Sequence, residues 1–244
     1  FILDEVNDIL HRSGKNTTII KVDDINNIGS TRLRIRSLVE SLKFKNSSKV
    51  YKKEIPIQTK LFTKKERHRT ILAPWFGDFY SPFIPPAFEL MGYKMENLPP
   101  SDYESVRYGL KYSNNEICYP ATLVVGDLMK ALEQNKYDRN KIALAITQTG
   151  GQCRATNYVA LLKKAMIAAG LENIPVITVS MTSGLHEQPG FEIKWRKYIK
   201  VIATAMIYAD CISQFYYSTA PRETEKGGAK RLQKQYLELG VEAL

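Results

Sequence analysis

The segment QTGGQCRATNY, Gln148 to Tyr158, sets two glycines, a cysteine and an arginine directly ahead of a long apolar helical pattern. A second cysteine, Cys118 in NEICYPATLVVGDLMKALE, also stands just before a helical pattern, with Pro120 suited to its first turn. A thiolate at such a position is stabilised by the helix dipole and by free backbone N–H groups. Arg154 adds a positive charge beside Cys153. Gly150 and Gly151 permit positive φ and close backbone approach to a bound group, or serve only a tight turn. Two readings stay open on these residues. Each cysteine is an inert buried small hydrophobe, or the two are thiolate ligands of one metal centre on one edge of a sheet.

Other chemistry is poorly represented. The spacing of zinc ribbons and fingers is absent, and so is the CxxCxxC run of a ferredoxin. His11, His68 and His186 lie in unrelated contexts, with no HExxH, and neither a Walker A nor a GxGxxG motif occurs. GDFYS follows a predicted strand as a ligand-binding loop does, and Asp78 serves either there or as the cap of the next helix. Tyr216 and Tyr217 read as packing residues. Cys211, in YADCISQF, lies in the middle of a helix and is expected in the core.

The elements that must position these residues alternate from Arg69 onward. RTILAPW, YKMENLP, KIALAIT and IPVITVSM read as strands. Between them lie helical patterns in PFIPPAFELMGY, SDYESVRYGLKY (Ser101 as cap), PATLVVGDLMKALEQ and ATNYVALLKKAMIAAG, the last stopped by Gly170. A long helix from about Phe191 to Phe215 ends the core. Strands separated by helices imply right-handed crossovers and a parallel sheet covered on both faces. The expected architecture is a Rossmann-like three-layer α/β domain over 69–244, with a mainly parallel sheet and a long C-terminal helix. Ligands of such sheets bind outside the carboxyl ends of the strands, where Cys153 falls. Residues 1–68 are expected to form an irregular N-terminal segment. It holds a short strand over Thr17–Val22 and a basic helix capped by Ser30 or Thr31, with Leu33, Leu38, Val39 and Leu42 as its apolar stripe.

Composition bounds the rest. The 244 residues are 44% hydrophobic and 25% charged, as in a globular domain that buries its core without staples. No apolar run approaches the roughly 18 residues of a membrane span. Three widely spaced cysteines make a poor disulfide framework, which favours a reducing compartment. The net charge is +10, and much of it lies between Lys43 and Arg69. That block reads first as a solvated connector; nucleic-acid binding is a weaker alternative, and an anionic coenzyme also favours a positive field. The chain begins FILDEVNDIL, which reads as a piece of a longer protein.

The two cysteine segments together resemble the C-terminal region of activases related to the activators of 2-hydroxyacyl-CoA dehydratases. That region is itself similar to the cluster-carrying subunits of those dehydratases and of double-cubane proteins. NIGSTRLRIRSLVESL, TILAPWFGDFYSPFIPPAFELMGYKMENLP and APRETEKG resemble further segments of the family in the same order, so the likeness runs from about Val22 to about Gly227. It implies a [4Fe–4S] cluster on Cys118 and Cys153, low-potential electron transfer, and a place in ATP-driven activation of acyl-CoA dehydration in the cytoplasm of an anaerobe. Gly150, Gly151, Arg154 and Asp78, in the turns that follow the strands, are the residues expected around that cofactor. The implied partners are ATPase activator domains or an acyl-CoA dehydratase, with acyl-CoA and a second copy of the chain as further candidates. Cys211 matches no cysteine of the family. Gln152 and Ala155 also depart from its pattern of glycine-proline-cysteine-arginine followed by an aromatic residue. The family's ATPase domains are missing from the chain, which by itself is not expected to hydrolyse ATP. The alternative is a cluster-free module that binds acyl-CoA or a partner protein.

Overall fold

The computed structural model describes residues 6, 9, 10, 13, 15, 17, 18, 20, 28–45, 58–113, 117–134, 136–149, 153–180 and 188–244. The chain divides into two compact units, Phe1–Ile57 and Gln58–Leu244. In the first, helix α1 spans Ile28–Lys45, so Ser30 and Thr31 lie inside the helix rather than at its cap. Leu38 is half-buried, while Leu33, Val39 and Leu42 are exposed. Thr17, Thr18 and Ile20 are not in a strand; the rest of the strand expected there lies outside the described residues, as do residues 46–57 of the basic block.

The second unit is a Rossmann-like α/β fold. Its strands are β1 (Thr70–Ala73), β2 (Met95–Asn97), β3 (Ile142–Thr147) and β4 (Val176–Val179), in the order β2-β1-β3-β4. All three pairings are parallel; Ile71 stands opposite Met95 on one side and Ala143 on the other. The helices are α2 (Ile84–Leu90), α3 (Tyr103–Tyr112), α4 (Tyr119–Glu133), α5 (Tyr158–Ala168), α6 (Trp195–Thr219) and α7 (Gly228–Glu242). Residues 58–68, grouped by their charge with the connector, pack with the sheet: Phe62 is fully buried among its side chains.

The strands sort their side chains by size. Leu72, Leu144, Ile146 and Val176 face Val125, Leu128, Val159 and Leu162 of α4 and α5. Ile71, Ala73, Ala143, Ala145 and Ile177 face the opposite layer, with Phe62, Phe191 and the half-buried Ile84 and Phe88 of α2. Period-two alternation does this, and both faces are apolar because both are covered. At the foot of β1, buried Arg69 donates to Glu66 and to the carbonyls of Arg139 (3.1 Å) and Ile142 (2.9 Å). Burial pushes the Glu66 pKa up, but hydrogen bonds from Lys60 and Arg69 outweigh it, and the net shift is downward.

Several local expectations are corrected. The cap of α3 is Asp102, not Ser101: Asp102 accepts from the Ser105 N–H at 2.9 Å and the Ser105 hydroxyl accepts from the Asp102 N–H at 3.1 Å, a reciprocal box. Ser101 instead donates to Asp127 at 2.6 Å. The long helix starts at Trp195, because Phe191 is committed to the core beneath Phe62 and Tyr93. Gly170, at φ 67°, ends α5 as expected.

The α3–α4 pair is held by two kinds of contact. A Cβ on Gly126 would collide with the Ser105 carbonyl oxygen, and one on Gly109 with that of Thr122, so the backbones touch where only glycine fits. Beside them, buried Lys130 donates to Asp102 and to the Ser105 hydroxyl, both at 2.8 Å. The Lys130 hydrogen bond, then that of the Ser105 N–H, holds the Asp102 carboxyl down at about 2. At the C-terminus α6 and α7 pack on Phe79 and Phe83 through Ala205, Ala209, Ile212 and Leu237. In APRETEKG, Glu223 accepts from the N–H groups of Gly227 (2.7 Å) and Ala229 (3.1 Å), fixing the start of α7.

Gly126→Ala is expected to destabilise the protein by about 1–3 kcal/mol through overpacking, despite the gain in helix propensity of about 1 kcal/mol; thermal denaturation measures it. The depressed Asp102 pKa stabilises the fold above the group's ordinary value of 3.8 and ceases to do so as pH falls toward about 2. Acid titration of stability is therefore expected to be shallower over that interval in Asp102→Asn than in the parent.

Candidate functional site

In this topology a helix that follows or precedes a strand through a crossover begins at the carboxyl edge of the sheet. Helix α4 leads into β3 and α5 follows it, so both start on that edge. Cys118 is the N-cap of α4, extended at φ −66° and ψ 142°, and Pro120 lies in the first turn. The Cys118 carbonyl accepts from the Ala121 N–H at 2.9 Å. Cys153 is the N-cap of a 3-10 turn, Arg154–Asn157, that runs directly into α5, and its Sγ accepts from the Ala155 N–H at 3.5 Å. Cys153 is exposed and Cys118 half-buried.

One side chain bonds the sulfur of Cys118. The Tyr158 hydroxyl is 3.0 Å from Cys118 Sγ in a hydrogen bond that either group donates. Burial raises the Tyr158 pKa above its ordinary value; the Cys118 bond and then the charges of Cys118 and Cys153 raise it further. Tyr158 is the first residue of α5, which is why it faces the start of α4. The carboxyl end of β3 is tied to the cysteine turn from beneath. The Gln148 N–H donates to Val179 O at 3.0 Å, its side-chain amide to Thr156 O at 3.0 Å, and the Thr149 and Thr156 hydroxyls are 3.0 Å apart. Sequence reasoning did not single out Tyr158, Gln148 or Thr156. Their signal is weak, since tyrosine, glutamine and threonine are ordinary in a βα turn. Gly109 and Gly126 left a clearer one, as isolated glycines inside helical patterns.

The other sequence candidates divide. Gly150 and Gly151 lie outside the described residues; Arg154 opens the turn, with its side chain likewise outside them. Asp78 caps no helix. It accepts from Trp75 Nε1 at 3.2 Å and from Lys230 Nζ at 3.5 Å, joining the loop after β1 to α7, while the Ser81 hydroxyl accepts from the N–H groups of Phe76 and Gly77. Cys211 is exposed rather than in the core, because α6 turns Ala205, Ala209 and Ile212 inward and leaves the position before Ile212 to solvent. Tyr216 and Tyr217 pack on Phe79, at ring distances of 5.8 and 5.6 Å. His68 bonds the Lys65 carbonyl at 2.7 Å; His11 and His186 lie outside the described residues.

A [4Fe–4S] cluster is held by cysteine thiolates at three or four irons. Among the described residues no three His, Cys, Asp or Glu side chains are grouped to hold a metal ion, so Cys211 does not join Cys118 and Cys153. The donor set of the described residues thus does not make a complete site for such a cluster. No helix among these residues is long and apolar enough to cross a membrane. Comparison with protein-family models, with curated proteins and with solved structures finds no match.

The Cys118–Tyr158 bond predicts a reactivity order. Exposed Cys153 and Cys211 should be alkylated by iodoacetamide faster than Cys118. Tyr158→Phe should slow Cys118 further at neutral pH, by up to roughly tenfold, because the reacting thiolate loses its hydrogen-bond donor, the equivalent of about 0.5–1.5 kcal/mol for one hydrogen bond. Cys211 should be unaffected; peptide mass spectrometry reads all three.

Proposed function

We propose that this chain is the cysteine-bearing domain of a 2-hydroxyacyl-CoA dehydratase activase-related protein, working in the reducing cytoplasm of an anaerobe. In this reading Cys118 and Cys153 each supply one thiolate to a [4Fe–4S] cluster, and the remaining ligands come from outside the described residues. The observation that carries it is the arrangement of the two cysteines. They are remote in sequence, each stands at the start of a helical segment at the carboxyl edge of the sheet, and Tyr158, the first residue of the helix behind the Cys153 turn, bonds Cys118.

The chain's own residues account for three tasks. At the start of the cysteine turn the Ala155 N–H donates to Cys153 Sγ at 3.5 Å, which holds that sulfur at the helix start. The Tyr158 hydroxyl donates to Cys118 Sγ once that sulfur is a thiolate, fixing its direction. Gln148 and Thr156 hold the Cys153 turn against the end of β3. A bound cluster would supply low-potential one-electron transfer. ATP hydrolysis belongs to separate activator domains, since the chain carries no phosphate-cradling motif.

Anaerobic reconstitution with iron and sulfide tests the reading. The expected product is brown, with iron and acid-labile sulfide in equal amounts, and Cys118→Ser and Cys153→Ser should each lose most of the iron while melting like the parent. A colourless, iron-free protein under those conditions overturns it.

A further inference from the structure

The face of the sheet opposite α4 and α5 has a cavity of about 430 Å³. It arises from the size sorting along the strands. On this face β3 presents Ala143 and Ala145, and β1 presents Ala73 beside Ile71, where the other face carries Leu72, Leu144 and Ile146. Methyl groups leave space that leucine and isoleucine fill on the other side. Ala73, Ala145 and Thr147 floor the cavity, Phe88 of α2 and Met206 of α6 form walls, and the half-buried Trp195 also lines it. The surface turned into it is apolar throughout.

Its place in the topology is the second observation. From β1 the chain winds outward to β2, then returns past β1 and winds the other way through β3 to β4. The winding reverses between β1 and β3, and the lining residues Ala73 and Thr147 end those two strands. In open α/β sheets the crevice outside the carboxyl ends at such a reversal is where ligands bind. The volume lies in the range of small-molecule pockets, about 300–1,000 Å³. The chemistry of the lining then selects the ligand. It offers no charged partner, and burying an unpaired charge is costly. At the rim, Tyr80 donates its hydroxyl to Asp210, which sets a carboxylate there and disfavours anions further.

We propose that this cavity is a binding site for a compact, uncharged apolar group, a hydrocarbon chain or ring. It does not rest on the cluster reading, because the sheet separates α2 and α6, which line the cavity, from α4 and α5, which the cysteines begin.

The test uses the tryptophans as reporters. The chain has two, and Trp75→Phe leaves Trp195 as the single emitter. Titration of that variant with 1-octanol should give a saturable blue shift of Trp195 emission and a raised Tm, and octanoate should bind about tenfold more weakly or worse. Ala87→Phe and Ile202→Phe fill the cavity from two helices, and each, in a form whose circular dichroism matches the parent, should weaken 1-octanol about tenfold or more. The Cys118→Ser, Cys153→Ser double variant should bind 1-octanol unchanged, so a cluster-free protein leaves this result standing. Three outcomes overturn the proposal: no spectral or thermal response up to the solubility limit of 1-octanol, an equal response in both filled variants, or octanoate binding as tightly as the alcohol.

Discussion

The parallel pairing of β1 with β3 is the contact on which the rest of this structure depends. Thr70, Ile71 and Leu72 pair with Ile142, Ala143 and Leu144, strands separated by the whole of α2, β2, α3 and α4. A parallel pair cannot be closed by a hairpin, so the chain between them has to cross the sheet. Because β2 lies on the far side of β1, the next crossover reverses direction, and the helices distribute to both faces. Both faces of the central strands are thereby buried, and Arg69, clamped on the Ile142 carbonyl, locks the pair at its foot. The cost of closing so long a loop is met by apolar burial: a fully enclosed leucine or isoleucine contributes about 1.5–3 kcal/mol, and Ile71, Leu72 and Leu144 are all at 0% exposure.

Everything of functional interest follows from where that pairing puts the carboxyl edge. Two helices flanking β3 start there, which brings Cys118 and Cys153 onto one edge, with Tyr158 bonded to Cys118. The reversal opens a crevice on the same edge, and the alanines of β1 and β3 keep its floor low. The sheet thus separates a polar, sulfur-bearing corner from an apolar cavity. The glycine contacts of α3 and α4 set the position of the first. With Gly126 against the Ser105 carbonyl, and Gly109 against that of Thr122, the path of α4 is fixed and with it the start of the helix at Cys118.

Much of this was legible from residue order. Alternating strands and helices implied a doubly covered parallel sheet, and the cysteines read correctly as residues that precede helices. Errors arose where neighbouring residues of like chemistry compete. Ser101 and Asp102 are both good caps, and only the bond to Asp127 draws Ser101 away. Asp78 looks like a cap but answers to Trp75 and Lys230, the latter remote in sequence. Cys211 was assigned to the core because α6 is apolar around much of its circumference, so the pattern does not reveal which face finds a partner.

The sequence by itself determined the elements, since period and punctuation are local properties: β-branched runs for strands, Pro120 and Gly170 at helix ends, cysteines before helical patterns. Only the tertiary structure decided which residues meet. That Tyr158 bonds Cys118, that Cys211 joins neither of the other cysteines, and that small residues of β1 and β3 line one cavity are matters of long-range packing. Strand order and the choice of sheet face set these meetings, and neither is encoded in the spacing of residues along the chain.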